Sequence, residues 1–270
     1  MRKPRRLTNE ELAPWCWEVP KTLGGTGFQP VGGTGVLAGA GIQSLQQDPS
    51  TLLKDGTGVL AGAPQQILKL ERHTSEDAGA TQDIDWHSFF GNTNPVELEV
   101  GMGKGLFLLT QAVARPNVNF FGIEVVRKYQ LYAATRFAKR NLPNVKTSCA
   151  DAKRILHDFV PPASVSAIHV LFPDPWWKLK HRKRRVFTPD FAKDAARAIA
   201  PGGKFHIASD VEEYFGVMTE IVKAMPEFCK LESNESRASL EEAGFQTNFE
   251  RKARMQGTPV WRAVYERTET

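Results

Sequence analysis

The feature that most constrains the fold is an alternation, between Pro95 and Asp210, of short β-rich runs with stretches of helical period, broken at its first crossover by three glycines. Val96 to Val100 is predicted as the first strand, Gly101-Met102-Gly103-Lys104-Gly105 as a glycine turn, and Leu106 to Ala114 as a helix. Further strands are expected at Asn119 to Ile123, Val145 to Cys149, Val165 to Phe172 and Lys204 to Ala208. Between them fall a helix from Val126 to about Arg140 and a short one from Ala152. Another opens at Thr188-Pro189, a hydroxyl cap followed by proline at the first helical position, and ends before Pro201-Gly202-Gly203. Strictly alternating elements imply an α/β protein with a mostly parallel central sheet and helices on both faces. Such sheets take their ligand outside the carboxyl ends of the strands.

Four acids stand at those ends: Glu99 before the glycines, Glu124 after the second strand, Asp151 after the third and Asp174 after the fourth. Gly105 and Glu124 are 19 residues apart, the separation at which a Rossmann-like unit brings a carboxylate to ribose hydroxyls. A dinucleotide site uses GxGxxG with its helix N-terminus facing a pyrophosphate. Here the run is Glu99-x-Gly101-x-Gly103-x-Gly105, and a carboxylate directly ahead of the loop repels pyrophosphate but suits an ammonium or sulfonium group. That favours S-adenosyl-L-methionine. Each acid also has a plain structural reading. Asp151 can cap the helix at Ala152, Ser209-x-x-Glu212 fits a capping box that would put Asp210 in a first helical turn, and Glu99 and Glu124 can be solvated strand ends.

Outside this core, residues 21–80 hold twelve of the 22 glycines and one aromatic, Phe28. GTGVLAGA occurs at Gly33 and again at Gly56, 23 residues later. Two copies are too few for a solenoid, and no lysine stands where a phosphate-binding loop needs one, so a low-complexity insertion is expected. The expected organisation is therefore a basic arm at 1–20, an insertion at 21–82 and one catalytic domain at 83–270. No apolar run approaches the roughly 18 residues of a membrane span, and the basic start has no hydrophobic stretch behind it. A cytoplasmic protein without membrane contact is expected. The three cysteines, Cys16, Cys149 and Cys229, form no CxxC pair, and no cluster of metal-ligating residue types is visible, so neither a disulfide framework nor a metal is expected.

Phe172-Pro173-Asp174-Pro175-Trp176-Trp177 leaves a strand with two prolines flanking a carboxylate and two large aromatic faces. In the next eight residues, Lys178 to Arg185, six are Lys or Arg. Aromatic faces that can stack on a displaced base, beside cations that neutralise phosphates, point to RNA as partner.

Taken together, Glu99 to Gly105, Gly122 to Val125, Phe172 to Arg185 and Thr247-Asn248-Phe249-Glu250 resemble the bacterial tRNA (guanine-N7)-methyltransferases, over roughly Pro95 to Tyr265 with a weaker trace at Leu7 to Pro20 and Asp85 to Phe90. The resemblance implies a Rossmann-like class I methyltransferase fold acting on a guanosine of the tRNA variable loop, as a monomer or homodimer. On it, Glu99, Gly101, Gly103, Glu124, Asp151 and Asp174 match the cofactor contacts, and Asp174 also matches the catalytic residue. Lys178, Asp210, Thr247, Asn248, Phe249 and Glu250 match the substrate contacts. Trp177, Leu179 and Asn248 depart from the family's more polar or basic residues, and the insertion stands where the family has a short connection. His169 and His206 lie within predicted strands and read as packing residues. Two other readings stay open: a methyltransferase for another RNA position, and a non-catalytic RNA-binding protein with a degenerate cofactor pocket.

Overall fold

The computed structural model describes residues 7–20, 83–232 and 247–269. The glycine-rich repeat lies outside the described residues. Eight strands form one sheet: β1 Cys16–Trp17, β2 Val96–Val100, β3 Asn119–Ile123, β4 Val145–Ser148, β5 Val165–Leu171, β6 Ile199–Ser209, β7 Phe228–Lys230 and β8 Trp261–Arg267. Their order is β1-β4-β3-β2-β5-β6-β8-β7, parallel from β1 to β6, with β8 antiparallel to both of its neighbours. The direction of winding reverses between β2 and β5. A crevice therefore opens at the carboxyl ends of these two strands, where α/β sheets bind ligands.

The helices are α1 Asn9–Leu12, α2 Trp86–Phe90, α3 Leu106–Ala114, α4 Arg127–Ala138, α5 Ala152–Asp158, α6 Pro189–Ala198, α7 Glu212–Lys223 and α8 Asn248–Gln256. Strands β2 and β3 are buried at every position, as central parallel strands covered on both faces must be. One layer of the core joins Leu98, Ile168 and Ile207 of the sheet to Ile155, Phe191 and Met218 of the helices. The other sets Phe107, Leu108 and Phe137 against Phe120 and Val145. Residues 7–20 complete this body. Trp17 meets Phe89, Phe121 and Phe159 edge-on at 5.7 to 6.1 Å, Leu12 packs with Ala134 and Ala138, and Trp15 Nε1 donates to the Leu142 carbonyl.

Helix α6 starts as its sequence predicts, with Thr188 accepting from the Phe191 N–H and proline in the first turn. Strand β6 does not. It begins at Ile199 and runs through Pro201-Gly202-Gly203, because a bulge between Val165 and Ala167 lets β5 pair with Ile199 and then with Lys204. The box expected at Ser209 is also absent: α7 starts at Glu212 with Val211 as its cap, and the Ser209 hydroxyl accepts instead from the Val211 N–H. Asp210 therefore belongs to the strand-to-helix turn.

The turn before α3 depends on Gly105, whose φ of +64° is left-handed and whose added Cβ would lie 2.7 Å from the Phe137 ring and 2.8 Å from Ala133 Cβ. Only glycine fits both demands. Gly105→Ala is expected to cost about 2–5 kcal/mol, combining about 1–2 for the left-handed backbone with about 1–3 for overpacking. A urea unfolding midpoint close to that of the wild type would contradict this packing.

Candidate active site

Glu99 is the penultimate residue of β2, Glu124 follows β3 and Asp174 follows β5, so the two strands flanking β2 carry the other two acids. Glu99 is almost fully buried, and its Oε2 has no hydrogen-bond partner among the described residues. Burial and the negative charge of Glu124 push its carboxyl up to about 8, against a small opposing effect of the Leu108 N–H. Glu124 is also buried. Its Oε2 accepts from the Gly103 N–H at 2.8 Å and its Oε1 from the Val126 N–H at 2.8 Å. Burial raises its proton affinity above the usual range; these two bonds oppose that, and the charge of Asp174 adds to it. Each carboxylate oxygen has two acceptor positions, so Glu124 still has capacity for outside hydroxyls after bracing the glycine turn.

These residues fit adenosylmethionine. A buried acceptor without a donor at Glu99, under electrostatic pressure from a second carboxylate, suits a cationic group. Glu124 suits a ribose. Gly103, at φ +54°, would carry a Cβ that meets no protein atom within 4 Å, so its backbone borders open space that a ligand can approach closely. Gly101 stands in the same turn, also left-handed. Asp151 is placed differently: it is exposed, and its Oδ1 caps α5 by accepting from the Lys153 N–H at 3.0 Å. The structural reading of Asp151 is realised, and it shares the sheet edge with the other acids.

Asp174 is exposed, and the backbone on either side of it is unusual. Phe172 and Trp176 have φ of +55° and +43°, a left-handed conformation that bulky residues rarely adopt. Two contacts hold this loop. The Phe172 N–H donates to the Ala208 carbonyl, and Arg185 Nε donates to the Pro175 carbonyl at 2.6 Å. Both tryptophans already lie against a cation of the basic segment. The Arg184 guanidinium lies 5.1 Å above Trp176, whose edge also meets His181, and Arg185 lies 5.8 Å above Trp177 and 4.8 Å above Tyr214. The indoles thus serve first as rests for cations, which fold the basic segment back over the loop. Lys178 is exposed and precedes the 3-10 helix Leu179–Arg184.

The carboxyl-terminal quartet reaches the same end of the sheet. The Thr247 hydroxyl accepts from the Glu250 N–H at 2.9 Å at the start of α8, Asn248 is the first residue of that helix, and the exposed Phe249 ring stacks on Phe172 at 6.0 Å. Glu250 is buried and ion-paired with Arg262 at 2.8 Å. Because Arg262 pairs with Ala208 in β6, this bridge ties α8 beside the half-buried Asp210. Tyr214 and Arg185 complete the wall and were not singled out from sequence. Arg185 is one of six similar cations, and nothing local distinguishes Tyr214 from a core residue.

A sheet of this order with its antiparallel β8, a glycine turn after β2 and carboxylates at the ends of β2, β3 and β5 define a class I methyltransferase. A family model described as "Putative methyltransferase" matches residues 93–263. The tRNA (guanine-N(7)-)-methyltransferase of Rhodopirellula baltica is 41% identical over 198 residues, 71% of this chain and 72% of that protein. The Hydrogenovibrio crunogenus enzyme of the same name is 35% identical over 184 residues, 68% of this chain and 77% of that protein. Among solved structures, 16S rRNA methyltransferase KamB aligns at 18% identity and a TM-score of 0.49, covering 72% of this chain and 97% of that one. The chain belongs to the tRNA (guanine-N(7)-)-methyltransferase family.

The raised Glu99 carboxyl makes a stability prediction. A group that binds its proton more tightly when folded supports the fold below its unfolded value, near 4.5, and loses that support as pH rises toward about 8. The melting temperature of the cofactor-free protein should therefore fall across that window. Glu99→Gln should flatten the fall and melt higher than wild type at pH 8. Parallel profiles for the two proteins would show that Glu99 is not buried in its charged form.

Proposed function

We propose that the chain transfers a methyl group from S-adenosylmethionine to N7 of a guanosine in the variable loop of tRNA, in the cytoplasm. The observation that carries this reading is the convergence of Glu99, Glu124 and Asp174 on one crevice, with the cation-bearing loop Phe172 to Arg185 at its rim. The bound cofactor supplies a methyl group on a positively charged sulfur. Glu99 and Glu124 hold and orient it, the first beside positive charge and the second at hydroxyls, while the glycine turn lets the backbone approach. Asp151 borders the same ligand.

Guanine N7 presents an in-plane lone pair and no proton at neutral pH, so no general base is needed to activate it. Positioning dominates. As the methyl group transfers, positive charge moves onto the base, and carboxylates fixed beside it stabilise that charge without reorganising. Asp174 is the group best placed for this, because it is exposed after β5 and near enough to Glu124 for their charges to interact. With Asp210 it accepts from the N–H groups of the guanine. Lys178 and its neighbours neutralise phosphates, and Thr247 to Glu250 form the opposite rim with Phe249 outward. The insertion at 21–82 is a passenger, since closing a longer surface loop adds little free energy.

Incubation with labelled adenosylmethionine and unmodified tRNA, followed by strand scission at N7-methylguanosine, should place label at one variable-loop guanosine. Label at another base would replace this reading with that of a different RNA methyltransferase, and no label would refute it. Asp174→Ala should lower transfer by about 100-fold or more while leaving tRNA affinity largely intact. Deleting residues 21–80 should leave the transfer rate unchanged, and a large loss would show that the insertion takes part.

A further inference from the structure

The loop at the end of β5 is not the only cationic surface at the crevice. From Val125 to Ala150 the chain has six Lys or Arg and no Asp or Glu. The stretch includes α4, which starts three residues after Glu124 and so leaves the crevice on the β3 side. Gln130, Ala133, Ala134, Phe137 and Ala138 form its buried face. Arg127, Lys128, Tyr129 and Tyr132 of the helix are exposed, and so are Lys139 and Arg140 in the turn that follows it. Lys104 of the glycine turn and Arg136 stand 5.9 and 6.0 Å from the Tyr132 ring, and Arg136 also donates to the Lys104 carbonyl, which fixes this ring beside the cofactor turn. The acids nearby are few: Glu18 lies 3.9 Å from Arg127 and is itself exposed, and α1 carries Glu10 and Glu11.

A surface that keeps cations and tyrosines in solvent, with Glu18 the one carboxylate paired to them among the described residues, matches a polyanion with stackable groups. Strand β2 lies between β3 and β5, so the ends of those two strands are about 10 Å apart, twice the usual strand spacing. We propose that the exposed face of α4, with Lys104, is a second tRNA contact surface. The tRNA then straddles the cofactor crevice, its backbone held by Lys178 to Arg185 on one side and by α4 on the other. This inference rests on the tRNA substrate proposed above. The cations neutralise phosphates, and the tyrosine rings meet ribose or unstacked bases.

The test measures binding of an unmodified tRNA transcript to the full chain at several salt concentrations. Replacing Arg127, Lys128, Lys139 and Arg140 together by glutamine should weaken binding at least about tenfold near physiological salt, and flatten the plot of log affinity against log salt by about three. Adenosylmethionine affinity should not change. Exchanging the same arginines for lysine and lysines for arginine should keep both affinity and slope. If the fourfold variant loses its thermal transition, the Lys128→Gln, Arg140→Gln pair gives the same reading with a smaller loss. Wild-type tRNA affinity and slope in a folded variant would overturn the proposal, as would a change only in sedimentation, which would assign the face to a second copy of the chain. Failure of the wild-type protein itself to bind tRNA would instead refute the substrate reading.

Discussion

The arrangement at the crevice turns on one electrostatic conflict, the burial of Glu99 within the field of Glu124. Two carboxylates in a low-dielectric site cannot both ionise cheaply, and neither is given an internal cation. The same strand shows the alternative. Glu97, two residues earlier and on the same face, accepts two bonds from Arg115 at 2.7 and 2.9 Å and a contact from His169 at 3.0 Å. Although burial is the largest single influence and acts to raise it, His169 and Arg115 together hold the Glu97 carboxyl down at about 2. One glutamate is therefore compensated within the protein, while its neighbour is left for a ligand to compensate.

That contrast explains why the histidines do not belong to the chemistry. His169 serves Glu97 and stacks on His206 at 4.5 Å, and burial keeps His206 well below its usual range. They lie in a layer beneath the crevice where Arg115 and His169 both bond to Glu97 and His206 stacks on His169. Above it, the groups at the strand ends are only partly satisfied: Glu124 keeps acceptor capacity, and Asp174 sits exposed on a loop whose strained backbone is held by contacts from Ala208 and Arg185. Among the described residues, the buried carboxylates without a partner cation, Glu99 and Glu124, thus gather at one end of the sheet.

Much of this was legible in the sequence, for reasons that can be stated. Strands β2 and β3, helix α3 and the start of α6 match prediction because each is set locally, by β-rich runs, by the glycine turn and by the Thr188-Pro189 cap. The acids at strand ends were legible because a parallel sheet fixes where its strand ends point. The remainder depends on distant pairing. Strand β6 passes through Pro201-Gly202-Gly203 because a bulge in its pairing with β5 accommodates them, and Ser209 fails as a cap because β6 continues to it. Glu97 read as one more strand residue, since Arg115 and His169 are remote in sequence. The left-handed Phe172 and Trp176 are set by tertiary contacts, and so is the use of Trp176 and Trp177 by arginines.

The basic excess divides in the same way. Several arginines are absorbed by the fold: Arg115 by Glu97, Arg262 by Glu250, Arg197 by the carbonyls of Val160 and Leu156, Arg267 by that of Ala196 and Arg185 by that of Pro175. These hold helices and strand ends in place and offer little to a partner. The cations in solvent at Lys178 to Arg184 and along α4 lie on opposite sides of the crevice. A formal charge of +5 is too small to draw a polyanion by itself. Its distribution is what matters: some arginines are held inside the fold, and the cations left in solvent at Lys178 to Arg184 and around α4 stand beside a mouth lined by carboxylates. On the function proposed above, such a rim would attract phosphates, while the carboxylates at the centre would favour a base that becomes cationic as it reacts.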